Sequence, residues 1–300
     1  MREPSAGAVL TDEPIRFPGR LDGVRAIRKD EIEVDERGVY IESWLPERRS
    51  RRRPLYLIHG ELGGSWLWER YLGYFAGRGW EAHALNLRAH FWSSTDEVAE
   101  LTFESYADDV HAGLLRLPQR PVLVGHGLGA MLALRVAERV LRETGDAGVA
   151  GLVLISPTLP GDLRADPEPH RLREVPPVFR RELVGWSGLP EQIRRQNPDL
   201  SIADVLRVQH MMGQESGAPR RAVLNGISVD RAVLADLPML VIGAGLDRLY
   251  PEAESERLAG WLGAEYQPYG AHSHYGTVIG EESYRQVADS IRGFLEAHRL

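Results

Sequence analysis

The sequence predicts an α/β fold: a mostly parallel sheet with helices on both faces and an inserted, mainly helical cap. Three observations carry that expectation. From Pro54 onward, short apolar runs alternate with helix-length segments. Between about Thr158 and Leu234 the alternation stops, and P-E-P, P-P and N-P breaks punctuate helix-like sequence without a convincing core strand. It resumes at PMLVIGAGLD, Pro238 to Asp247. Strands separated by helices imply a parallel sheet covered on both faces. A long strandless stretch between two such halves reads as an insertion.

In chain order, residues 1–23 form an N-terminal extension, residues 24–157 and 235–300 the core, and residues 158–234 the cap. EIEVDERGVYIESWLP alternates apolar and polar residues around an E-R-G turn, the pattern of a hairpin with one buried face. RRSRRR, Arg48 to Arg53, is a solvated loop in an acidic protein. Then LYLIHG, EAHALNL, PVLVGHG and GLVLISP read as strands, separated by the helical segments WERYLGYFAGRG, FESYADDVHAGLLRL and GAMLALRVAERVLRET. After the cap come an amphipathic stretch PEAESERLAGWLG, the strand AEYQPYG and a closing helix YRQVADSIRGFLEAH.

Composition narrows the function. With 300 residues, 43% of them apolar and 26% charged, the chain has material for a large core. A formal net charge of −7 argues against gripping phosphate backbones, so a small-molecule partner is expected and nucleic acid is not. There is no cysteine, which excludes disulfides, thiolate metal sites and a cysteine nucleophile. No stretch of 18 or more apolar residues occurs and the first twenty residues lack a signal peptide's apolar run, so no membrane partner and a cytoplasmic location are expected.

In an open parallel sheet the ligand crevice lies beyond the carboxyl ends of the strands. Four such ends carry chemistry here: HGELGG, GHGLG, GLD (Gly245 to Asp247) and AHSH. HGELGGSWLW resembles the H-G-x-x-G-x-x-x-x-W turn of the α/β-hydrolase superfamily. LNLRAHFWS resembles its D-x-R-G-x-G-x-S loop, with Asn86 in place of Asp and Ala89 and Phe91 in place of glycines. GHGLGA is similar to the nucleophile elbow, GAGLDRLYP to the acid loop and AEYQPYGAHSH to the strand and turn bearing the histidine, all in the family's order.

The resemblance implies that Asp247 is the acid orienting a histidine. That histidine is His274 or His272; counting without gaps from the start of the last strand selects His274. It also implies an oxyanion hole of two backbone N–H groups, from Leu128 and Glu61. The Glu61 side chain is either an acid or base at the crevice mouth or a solvent-facing bystander. At the elbow's centre, where the family carries its nucleophile, stands Gly127. Glycine tolerates positive φ without the strain a side chain suffers there, so it preserves the turn while removing the hydroxyl.

Three readings follow. The chain is a non-hydrolytic enzyme using a His/Asp general base on a small carbonyl-containing substrate, by elimination, cyclisation, isomerisation or cofactor-free oxygenation. Alternatively it is a small-molecule-binding pseudoenzyme. In the third reading it is a hydrolase, either inactivated by mutation or using another group such as Glu61. His59 and His126 are expected to be hydrogen-bonded core residues. His210, beside Met211 and Met212, suits an adaptable pocket wall or packing within the cap. H-S-H offers no third metal ligand and G-H-G-L-G lacks the sixth-position glycine of a dinucleotide fingerprint, so neither metal nor cofactor is expected.

Overall fold

A computed structural model describes residues 27–34, 38–48, 51–91, 93, 97–145, 148–164 and 172–300. The expected 1–23 extension lies outside the described residues; the first described element is the expected hairpin, β1 (Ile27–Glu33) pairing antiparallel with β2 (Tyr40–Pro46), while most of its E-R-G turn also lies outside them. Then follow β3 (Leu55–Ile58), α1 (Glu69–Ala76), β4 (Ala82–Asn86), α2 (Phe103–Leu114), β5 (Val122–His126), α3 (Leu128–Thr144) and β6 (Gly151–Ile155). Outside the main sheet lie β7 (Val178–Phe179), α4 (Pro190–Gln196), α5 (Ile202–Met211), β8 (Glu215–Ser216), α6 (Gly217–Asn225) and α7 (Arg231–Leu234). The sheet resumes with β9 (Met239–Ala244), α8 (Glu252–Leu262), β10 (Glu265–Tyr269), α9 (Gly276–Ile279) and α10 (Ser283–Ala297).

The eight-stranded sheet runs β1-β2-β4-β3-β5-β6-β9-β10, antiparallel across β1, β2 and β4 and parallel from β4 onward. Its central strands are apolar on both faces because helices cover both. Leu55, Leu57, Val122 and Val124 pack on one side with Trp68, Tyr71 and Phe75 around α1 and with Ile291 of α10. Tyr56, Ile58, Leu123 and Leu154 alternate onto the other, against Val110 of α2, Met131 and Leu134 of α3, and Leu258 of α8. Among its described residues, the segment between β6 and β9 forms only the short ribbon β7-β8 beside its helices.

The helices differ in how they start. Thr102 caps α2 through the Ser105 N–H, Ser201 caps α5 through Asp204 N–H, and Ser216 caps α6 through Ala218 N–H. The 17-residue α3 starts from Gly127 with no side-chain cap. Its first turn instead presses on strand backbone: a Cβ on Gly125 would lie 2.3 Å from the Gly129 carbonyl oxygen, and one on Gly129 2.3 Å from that of Ile58. Neither neighbour can swing aside, so these two glycines are steric requirements. Gly125→Ala should lower stability by about 1–3 kcal/mol, the usual cost of forced overpacking. A urea midpoint indistinguishable from wild type at constant m would show that α3 does not sit this close to β5.

Candidate functional site

At the junction of β5 and α3, Gly127 has φ 57° and ψ −118°. Its N–H donates to the Ile155 carbonyl at 3.0 Å and its carbonyl accepts from Ala130 N–H at 3.1 Å, which fixes the turn from both ends. Facing it is His274, from the loop between β10 and α9. A Cβ on Gly127 would stand 3.3 Å from His274 Nε2, 3.2 Å from its Cε1 and 3.4 Å from Tyr250 Cε2. The imidazole therefore presses to the edge of the volume a side chain at position 127 would need.

The other ring nitrogen is tied down. His274 Nδ1 lies 2.7 Å from Asp247 Oδ2, in a pair whose side chains are 7% and 0% exposed. Asp247 sits in the turn after β9, and its Oδ1 accepts from the N–H groups of Leu249 at 2.8 Å and Tyr250 at 2.9 Å. The carboxylate so held accepts a hydrogen bond from Nδ1–H, which selects the tautomer whose Nε2 faces Gly127 as an acceptor. Asp247 thus meets His274, whereas His272 lies flat on Tyr269 with ring centroids 4.6 Å apart. Beneath His274, His126 Nε2 donates to the His274 carbonyl at 3.0 Å, and the two rings are 4.2 Å apart. Burial, reinforced by the His274 charge, holds His126 well below the ordinary imidazole range, so it serves as a neutral donor.

After β3 the chain makes a tight turn from Gly60 to Gly63, closed by a Gly63 N–H to Gly60 carbonyl bond of 3.2 Å. Its third residue, Leu62, has φ 60°, while Glu61 keeps an ordinary negative φ, which makes the turn type II. Among the described residues neither the Glu61 nor the Leu128 N–H is engaged in a hydrogen bond. A helix N-terminus with free N–H groups beside an imidazole is suited to negative charge.

The Glu61 side chain does not point into solvent. It is 7% exposed, and its Oε2 meets Arg220 Nη1 of α6 at 2.5 Å. Burial pushes its carboxyl up from the usual range against the pull of Arg220. Tyr250 and Tyr275 complete the surroundings, both hydroxyls pushed up by burial and by the Glu61 charge. Behind the turn, Glu215 of β8 accepts from Leu62 N–H at 2.9 Å and His90 Nε2 at 3.0 Å on one oxygen, and from Tyr106 Oη at 2.6 Å and Ser216 N–H at 2.9 Å on the other. Burial alone would raise the Glu215 carboxyl, but the His90 charge and these hydrogen bonds outweigh it and hold it low. His90 is correspondingly raised despite burial.

Arg220, Tyr275 and Glu215 lie outside the quoted motifs, while His90 and Tyr250 sit within LNLRAHFWS and GAGLDRLYP without being singled out there; contacts across the fold bring them together. Elsewhere, His59 is a core residue, its Nδ1 donating to the Gly60 carbonyl at 2.8 Å and its Nε2 accepting from Leu87 N–H at 3.2 Å. His210 is exposed on α5 while Met212 packs into the core, so the pocket-wall reading of His210 is corrected: a helix whose buried face is Val205 and Val208 turns it to solvent. Asn86 Oδ1 accepts from Ser65 N–H at 2.7 Å, and Ala89 and Phe91 hold φ of 61° and 48°, the glycine-like conformations of the motif they depart from. Among the described residues no cluster of three or more metal-ligating side chains occurs, and no helix is long and apolar enough to cross a membrane.

A model of the alpha/beta hydrolase family matches residues 55–289. The chain belongs to that family. Similar solved structures include a bromoperoxidase from Bacillus anthracis (TM-score 0.67, 15% identity, 90% of this chain and 100% of that one). A soluble variant of monoglyceride lipase from Saccharomyces cerevisiae in complex with a substrate analog has TM-score 0.67 and 13% identity, over 94% and 100% of the two chains. The thioesterase domain from the curacin biosynthetic pathway has TM-score 0.61 and 17% identity, over 90% and 99%. At these identities the likeness is one of fold. Protein ABHD8 of Mus musculus is 38% identical over 77 residues, a match spanning 25% of this chain and 18% of the mouse protein.

Burial, with the His90 charge second, lowers His59 from 6.5 to about 3. His59 is therefore neutral in the folded state, and the unfolded chain takes up the proton first as pH falls. Its contribution is fully present above pH 6.5 and is lost toward pH 3, with a slope of up to about 1.4 kcal/mol per pH unit. His90, raised, works in the opposite sense and loses its contribution as pH rises. His59→Gln should flatten the acid limb of stability, measured as urea midpoints across that window. An unchanged slope would mean that His59 is protonated in the native state.

Proposed function

We propose that this alpha/beta hydrolase lacks the Ser nucleophile and is a non-hydrolytic enzyme. His274 Nε2 removes a proton from a small carbonyl-containing substrate, the electron pair moves onto the carbonyl oxygen, and the Leu128 and Glu61 N–H groups receive the developing negative charge. Asp247 stabilises the imidazolium that forms. Such a step initiates an elimination, isomerisation, cyclisation or cofactor-free oxygenation. The inserted 158–234 segment, through Arg220, acts as the cap that closes the crevice. The observation carrying this reading is the Nε2 lone pair aimed at Gly127, with Nδ1 held by Asp247 and no hydroxyl to deprotonate. The reading as a hydrolase that uses another group such as Glu61 is disfavoured because Arg220 already engages that carboxylate.

Gly127→Ser tests whether the remaining machinery is assembled. The parent should resist a fluorophosphonate probe and leave p-nitrophenyl acetate unhydrolysed. The variant should gain a covalent adduct and weak esterase activity, lost again on adding His274→Ala. Reimposing a side chain at positive φ, 3.2 Å from the imidazole, should cost about 1–3 kcal/mol in a denaturation midpoint. Stoichiometric labelling of the parent would refute the missing nucleophile, and a folded but inert Gly127→Ser protein would refute the general-base geometry.

A further inference from the structure

The Gly60–Gly63 turn contains a conformational conflict. Type II requires φ > 0 at its third residue, a position suited to glycine, yet Leu62 stands there at φ 60°. Rotating the peptide between residues 61 and 62 would convert the turn to type I and return Leu62 to an ordinary negative φ, relieving that strain. What opposes that rotation must act on the Leu62 N–H, the one group of that peptide that donates a hydrogen bond. That group donates to Glu215 Oε2 at 2.9 Å.

Glu215 is suited to hold it. The residue is 1% exposed, and its four acceptor sites are filled by four donors from the turn, the β4–α2 loop, α2 and its own strand. His90 Nδ1 also faces an acceptor, the Arg88 carbonyl at 2.9 Å, so both imidazole nitrogens donate and His90 carries a proton. An imidazolium and a fully engaged carboxylate form a pair with no spare donor or acceptor. A flipped 61–62 peptide would put the Glu61 carbonyl against that carboxylate and leave a buried, charged acceptor without its donor, which is costlier than losing a neutral hydrogen bond. The same inserted segment touches the turn a second time, five residues later, where Arg220 meets the Glu61 carboxylate.

We infer that Glu215 is a positioning residue: it locks the 61–62 peptide in the type II orientation and so ties the Gly60–Gly63 turn, on which the Glu61 N–H is carried, to the inserted segment. Its catalytic consequence rests on the proposed function, in which that N–H receives negative charge. The lock itself does not.

Amide hydrogen exchange tests the lock in the unmodified protein. The Leu62 amide should exchange slowly with a downfield proton shift, while the neighbouring Glu61 amide exchanges fast; an unprotected Leu62 amide would overturn the proposal. In Glu215→Gln, which puts a donor where only acceptors fit, Leu62 should lose at least tenfold in protection. Glu138→Gln is the matched control, since it removes another buried carboxylate, one that meets Arg142 at 3.0 Å on α3. It should leave Leu62 protection unchanged even where it lowers stability. In the Gly127→Ser background, Glu215→Gln should lower esterase kcat about tenfold with KM within twofold, and Glu138→Gln should not. Loss of Leu62 protection with unaltered kcat would overturn the coupling to the site. Should Gly127→Ser be inert, the exchange data still decide the lock, and the failure belongs to the general-base reading.

Discussion

The rest of the site depends on one contact, the backbone-to-backbone approach of the first turn of α3 to the ends of β3 and β5. Gly125 and Gly129 permit it, each with a strand or helix carbonyl 2.3 Å from where a Cβ would sit. Because the helix begins against the sheet, its N-cap position must turn sharply, which forces φ 57° on Gly127. Leu128 is the first residue of the helix, so its N–H has no intrahelical partner and stays free. A steric constraint of the fold thus generates the electrostatic feature of the site, a positive helix end opened toward the crevice.

Around that feature the polar groups are paired in a consistent way. Asp247 holds His274, Glu61 holds Arg220 and Glu215 holds His90, each pair linking segments far apart in sequence. Buried ion pairs are weak sources of stability, since desolvation offsets most of their attraction. What they supply is orientation, because breaking one partner leaves an uncompensated charge. Asp247 fixes which imidazole nitrogen is free. Glu215 and Arg220, from the inserted segment, fix the turn that carries Glu61. Positioning and loop placement are therefore coupled through electrostatics, while the apolar clusters on both sheet faces carry the cohesion.

What could be read from the sequence was local. The alternation of strands and helices, the glycines of GHGLG and the aspartate after β9 each act within a few residues, so their pattern survives in one dimension. The register of the last loop was not local: His272 and His274 differ by two positions, and only the fold shows that Asp247 meets the latter. Glu215 was invisible for the same reason, since its partner Leu62 is 153 residues away and no motif marks Glu215. The reading of His210 beside two methionines went astray because adjacency on a helix does not mean a shared face; residues 210 and 212 are about 200° apart. Ala89 and Phe91 show the converse, with the backbone conformation kept though the residue types that favour it are absent.

In the proposed reading these two behaviours meet at position 127. Ala89, Phe91 and Leu62 hold positive φ with side chains attached, so this fold tolerates the strain where surrounding contacts over-determine the backbone. Positive φ by itself would therefore not require glycine at an elbow that had merely lost its hydroxyl. Glycine does more than relieve φ, because it removes the Cβ that would stand 3.2 Å from the His274 ring and 3.4 Å from Tyr250. Its effect is to let the imidazole close on the elbow and to give a substrate atom access to Nε2 from the side a serine would occupy. A base that takes its proton directly from substrate needs that approach, whereas a base that activates a serine needs the serine in the way.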